Sequence, residues 1–204
     1  MRISGVLTFL LMVSGATAAA AADQPKATCV IAFSGTSSLH GFEGSIPPIT
    51  TRLQPSTASP GKWDADLSVP VASMTTSNES RDAKMREMFD AEHSPDIRVA
   101  LREFDPQDVK RKAEIAGTLT IAGKSREFVA SLNNWRENDS DVSFDLTATV
   151  SLERFGLSAP TVLGLIRVAD EVEVTAHVAV EDAAILREPS AAANSPQDAP
   201  KEAS

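Results

Sequence analysis

Runs in which apolar and polar residues alternate one by one recur along most of this chain, and that period of two limits the fold more than any other feature of the sequence. Cys29, Ile31 and Phe33 alternate with Thr28, Ala32 and Ser34. Trp63, Ala65, Leu67, Val69 and Val71 alternate with Asp64, Asp66 and Ser68, and Ile97, Val99 and Leu101 with Arg98 and Arg102. Longer runs follow at Val142 to Glu153 and Glu171 to Glu181, with shorter ones at Ile115 to Ile121 and Phe128 to Trp135, joined by a turn at Ala122-Gly123-Lys124. Pro55 to Gly61 reads as a hairpin loop. Such strands are dry on one side only, so they must face a second sheet or close on themselves. Their length favours closure into an all-β antiparallel barrel of about eight strands, whose interior is either filled or holds one small ligand. The inward phase is mostly alanine, valine, isoleucine and leucine, with 5% aromatics overall and no tyrosine, which favours a cavity. A filled barrel or sandwich stays open as the alternative.

The one long helical signal lies between Met74 and Val99. Thr76 and Glu79 have the spacing of a capping box, so a helix is expected to start there. Met85, Met88 and Phe89 fall on one face that must bury, and Arg81 lies four residues before Met85 on that face. A buried guanidinium needs a partner, and Asp82 is the nearest. The helix should end near Asp90, because Pro95 sends the preceding residue into extended geometry. Arg154 continues the apolar phase of Val150 and Leu152, so its side chain is expected to turn inward near a strand end. An ion pair with Asp82, Asp90 or Glu153 is the alternative role for such an arginine.

Residues 1–22 read as a secretory signal peptide: Arg2 is followed by an apolar stretch and by Gly15-Ala16-Thr17-Ala18 as a small-residue cleavage site. The apolar run is shorter than the roughly 20 residues of a membrane span, and no later segment qualifies. Export implies an oxidising compartment outside the cytoplasm. Removing Arg2 changes 19 basic and 28 acidic residues to 18 and 28, a net charge of −10, which opposes nucleic acid as a partner. Cys29 is the only cysteine, so no disulfide forms within the chain, and its phase makes it a small buried side chain. Residues 23–182 then form one domain, and 183–204, rich in alanine, proline and serine, form a disordered tail.

Nothing in the spacing demands catalysis or a metal. His40, His93 and His177 are scattered, and no zinc, phosphate-loop or nucleophile-elbow signature is present. The chain is therefore read as a non-enzyme without a cofactor, with an uncharacterised hydrolase as the remote alternative.

Four landmarks in order, Ser38 to Gly44, Met74 to Pro95 with Ser80-Arg81-Asp82, Gly117 to Gly123, and Arg154-Phe155-Gly156-Leu157, resemble the YceI-like family over roughly Thr28 to Glu181. The resemblance implies an extended lipocalin-like barrel of eight antiparallel strands with one short helix between strands. It also implies a periplasmic binder of a polyisoprenoid, quinone or fatty-acid-like amphiphile. His40, Phe42, Arg81, Asp82, Met85, Phe89, Arg154 and Phe155 match the motif positions. Met88, on the helix face, and Phe144, in an inward phase, complete the expected ligand-binding set, with Arg81 and Arg154 toward the head. A structural or protein-interaction barrel with a filled core is the other reading, and pairing into a homodimer stays open.

Overall fold

Strand formation follows the alternation, and the strands close. The computed structural model describes residues 24–37, 41–158, 161–162 and 166–183. Its long strands are β1 (Lys26–Ser37), β2 (Gly41–Pro55), β3 (Trp63–Pro70), β4 (Asp96–Phe104), β5 (Glu114–Ile121), β6 (Lys124–Glu137), β7 (Val142–Ser151) and β9 (Ile166–Glu181), with a two-residue β8 (Thr161–Val162) on the margin of β9. Every pairing is antiparallel, β1 to β7 join in sequence order, and β9 bonds both β7 and β1, the latter from Lys26↔Glu181 to Ser37↔Val168. The result is a closed eight-stranded barrel. The expected signal peptide and Ser38-Leu39-His40 lie outside the described residues. So does the expected tail apart from Ala183, which is fully buried and donates its N–H to Ser140 O.

β2 carries a change of phase. Cys29 faces Ile49 but Ile31 faces Ile46, so β2 holds one residue more than β1 between these pairs, and Pro47-Pro48 occupy the bulge. Proline has no N–H for a ladder, and a bulge is where a strand tolerates it. The extra residue moves the inward row from Phe42, Gly44 and Ile46 to Ile49, Thr51 and Leu53.

Two seams interrupt the wall. β2 and β3 pair only through Leu53–Pro55 and Trp63–Ala65. Beyond that, the connection between β3 and β4 fills the gap, with Thr75 exchanging hydrogen bonds with Ser45 at 2.8 and 3.0 Å. Helix α1 (Glu79–Met88) lies in this connection. β4 and β5 pair only through Arg98–Ala100 and Thr118–Thr120. Helix α2 (Pro106–Lys112) covers their open ends, with Val109 packed on Ile115, Ala130 and Leu132. The barrel thus has two short helices instead of the one expected. α2 has a legible start, since Asp105 caps Gln107 N at 2.8 Å and proline stands at the first turn.

α1 begins later than the capping-box spacing predicts. Asn78 is the N-cap and accepts from Arg81 N at 3.0 Å, because the Thr76 hydroxyl is engaged elsewhere.

α2 ends on Ala113 in the left-handed region (φ 54°), where a Cβ is strained. Ala113→Gly is expected to raise stability by about 0.5–1 kcal/mol, measured by urea unfolding. A lower midpoint would show that the turn is unstrained.

Candidate lipid-accommodating bore

The inward rows do not fill the barrel. Two chambers run along its axis, one of about 490 Å³ walled by α1 and one of about 220 Å³ walled by α2. Ile31, Val99, Phe128, Ala148 and Val174 face both, so the chambers meet at a waist formed by five strands. The interior is therefore not fully packed. The larger chamber alone falls within the size range of small-molecule sites.

The wall of the larger chamber includes Phe33, Phe42, Met74, Met85, Met88 and Phe89. Apart from Ser37 on β1, its polar side chains gather on α1 and the loop before it: Thr76, Asn78, Ser80, Arg81 and Lys84. The smaller chamber is almost wholly apolar. Its one charged lining residue, Glu137, accepts from Lys110 Nζ at 2.9 Å and Trp135 Nε1 at 2.7 Å. Lys110 lies 5.4 Å from the Trp135 ring centroid, and Trp135 stacks on Phe144 at 5.3 Å, which ties α2 to β6 and β7. Cys29 also lines this chamber, and burial pushes its thiol up to about pKa 11.

Arg81 is held differently from the sequence expectation. Its partner is not Asp82 directly. Arg81 Nε donates to Thr76 Oγ1 at 2.9 Å, and the guanidinium carbon lies 5.7 Å from the Phe42 ring centroid. The Thr76 hydroxyl in turn donates to Asp82 Oδ1 at 2.6 Å, Thr76 N donates to the same oxygen at 2.8 Å, and Thr75 Oγ1 donates to Oδ2 at 2.8 Å. Asp82 is buried, which opposes its charge. The Thr76 and Thr75 hydrogen bonds, with Arg86 nearby, outweigh that cost and hold its pKa below the usual carboxylate range. The threonine hydroxyl is therefore a relay: the carboxylate orients it, and it orients the guanidinium.

The expected site residues separate into groups. Phe42, Arg81, Met85, Met88 and Phe89 line the larger chamber, and Phe144 lines the smaller. Asp82 lines neither and acts behind Arg81. His40 lies outside the described residues. Arg154 does not turn inward: β7 ends at Ser151, and Glu153–Phe155 form a 3₁₀ turn that leaves Arg154 exposed. Asp170 holds that turn by accepting from Glu153 N at 2.7 Å, and Gly156 closes it in the left-handed region with Lys124 lying over it. Arg126 Nε donates to Arg154 O at 3.0 Å, and Phe155 is buried in the core without lining either chamber. Ser80 and Lys84, one and three residues from Arg81, were not anticipated, although a helical projection places Lys84 beside it.

His177 faces outward as its phase predicts, with Nδ1 2.7 Å from Asp145 Oδ1, and His93 Nδ1 lies 2.8 Å from Asp90 Oδ1. Among the described residues no group of three or more histidine, cysteine or acidic side chains is placed to hold a metal ion, and no helix is long and apolar enough to cross a membrane.

A closed antiparallel barrel around an apolar bore, with a helix in the wall, is the architecture of the lipocalin-like binding folds. Within that class the chain belongs to the YceI-like domain family, whose profile matches residues 22–180. The fold is shared with BcnA of Burkholderia cenocepacia at TM-score 0.59, with 17% identity over 74% of this chain and 95% of that one. It is also shared with a polyisoprenoid binding domain from Saccharophagus degradans at TM-score 0.55, with 12% identity over 77% and 98%. A search of curated proteins returns no match.

Asp82→Asn is expected to cost about 1–3 kcal/mol at pH 7, because the amide offers a donor to groups that themselves donate. A depressed carboxylate pKa stabilises the fold above the ordinary value of about 3.9 and loses that contribution as pH falls below it. The gap between wild type and variant in urea unfolding should therefore narrow below about pH 4. A gap independent of pH would contradict the relay.

Proposed function

We propose that the barrel binds one long-chain amphiphile, of isoprenoid or similar lipid type, and carries it through the periplasm. The observation that supports this best is the two-chamber bore, mostly apolar, with the polar groups of α1 and its preceding loop gathered in the larger chamber and one charged residue, Glu137, lining the smaller. Each methylene removed from water contributes about 0.8 kcal/mol, so a chain threaded through both chambers is held without any specific contact. The methionines of α1 adapt to a bent or branched chain. Arg81 and Lys84 line the larger chamber and give an anionic or electron-rich head a cationic seat, whereas the one charged residue lining the smaller chamber, Glu137, is already paired with Lys110. The Saccharophagus fold relative, described as polyisoprenoid binding, is consistent with an isoprenoid chain.

Protein purified from its native envelope should carry a lipid, seen by native mass spectrometry as an added mass that organic extraction removes. Arg81→Glu should weaken a carboxylate amphiphile by about tenfold relative to the alcohol of equal length. Ligand-free protein from the native source, together with no binding of added amphiphiles, would refute the carrier reading.

Cys29 reports how deep the tail reaches. Bound chains that enter the smaller chamber should slow alkylation of this thiol by N-ethylmaleimide, while chains confined to the larger chamber should not. Equal rates with every chain length would show that the tail stops at the waist.

A further inference from the structure

Three phenylalanines that wall the larger chamber each lie opposite a glycine on the neighbouring strand. Phe42 pairs with Gly35 and Phe33 with Gly44 across β1 and β2, and Phe128 pairs with Gly117 across β5 and β6. In each pair the ring lies on the bare glycine. A Cβ built on Gly35 would stand 2.6 Å from Phe42 Cζ and 2.9 Å from Cε1. One on Gly44 would overlap Phe33 Cζ and come within 2.5 Å of Cε2, and one on Gly117 would lie 3.0 Å from Phe128 Cε1.

None of the three glycines has a left-handed backbone, so their conformation is open to any residue. Glycine is also among the poorest strand formers. What each provides is room. A strand side chain stands roughly perpendicular to its sheet, so an inward phenylalanine points toward the barrel axis unless the ring has somewhere to lie. Laid across a glycine, it becomes wall.

We propose that Gly35, Gly44 and Gly117 are the residues that set the width of the bore, and that they admit methyl-branched chains which displaced rings would exclude. The inference rests on the amphiphile reading above and adds the shape of chain that the bore selects. Straight alkyl chains are thinner and tolerate a narrowed lumen better. Gly35 has a second effect, because the Phe42 ring seated on it lies beneath the Arg81 guanidinium. Glycine, ring and cation form one stack, so Gly35 also positions the charge in the wall of the larger chamber. At Gly117 a Cβ would meet Leu101 Cδ2 at 2.6 Å and Ala100 O at 2.8 Å before it reached the ring, so the two glycines on β1 and β2 give the cleaner test.

Equilibrium dialysis would compare farnesol with the straight-chain alcohol of equal backbone length. Gly44→Ala is expected to weaken farnesol about tenfold, which is about 1.4 kcal/mol, and the straight chain by less than about threefold. Phe33→Ala added to Gly44→Ala removes the displaced ring and should return farnesol to within about threefold of the Phe33→Ala value. Should Gly44→Ala fail to fold, Gly35→Ala with and without Phe42→Ala makes the same comparison. Equal losses for both alcohols, no loss, or no recovery in the double variant would overturn the inference while leaving the amphiphile reading intact. Wild-type protein that binds neither alcohol would overturn both. Gly35→Ala should also reduce the wild-type preference for farnesyl phosphate over farnesol, and an unchanged preference would remove Gly35 from any role in placing Arg81.

Discussion

The circumference of a closed sheet is set by its backbone, and the rest of this structure follows from that constraint. Eight strands spaced about 4.8 Å apart and tilted by about 40° give a backbone cylinder of about 8 Å radius. The inward rows are mostly alanine, valine, isoleucine and leucine, whose side chains stop short of the axis. Large side chains are the means of filling such a space, and three of the phenylalanines that face it are turned aside onto glycines. The interior is therefore empty by composition and kept empty by packing.

Closure is complete around the ring but uneven along it. The two short ladders, β2 to β3 and β4 to β5, leave stretches of backbone without a strand neighbour, and each is met by a helical connection. These substitutes give the bore its chemical direction. A strand inside such a barrel presents a side chain to the lumen only at every second residue, whereas α1 and its preceding loop bring five polar side chains to the wall in a short span. The Asp82–Thr76–Arg81 relay suits that position. It fixes the cation through a neutral hydroxyl and not through a direct ion pair with Asp82.

The barrel was legible wherever a strand keeps one phase, as in β1, β3, β7 and the Glu171–Glu181 part of β9. β2 was hidden by its own bulge: two prolines and a switch of inward parity break the alternation that would have revealed it. α2 was missed because seven residues with one buried side chain make no periodic signal, although Asp105-Pro106 marks its start. Arg154 shows the limit of phase arguments, which hold only while the strand continues; β7 stops at Ser151 and the chain turns. The site was half visible. Arg81 and the apolar face of α1 follow from spacing alone. The support of Arg81 by Phe42, and of each ring by its glycine, depends on pairings between distant residues that no local pattern encodes.

The ladder that completes the ring joins the first strand of the domain to the last, Lys26 to Glu181. Its two halves are therefore synthesised at opposite ends of the domain. Until the final strand emerges, β1 has an unsatisfied margin and the inner surfaces remain open to water, so the finished topology cannot be assembled piece by piece from the amino terminus. Folding in such a chain is a late and collective event, and the hollow that receives a guest does not exist before the last residues of β9 have arrived.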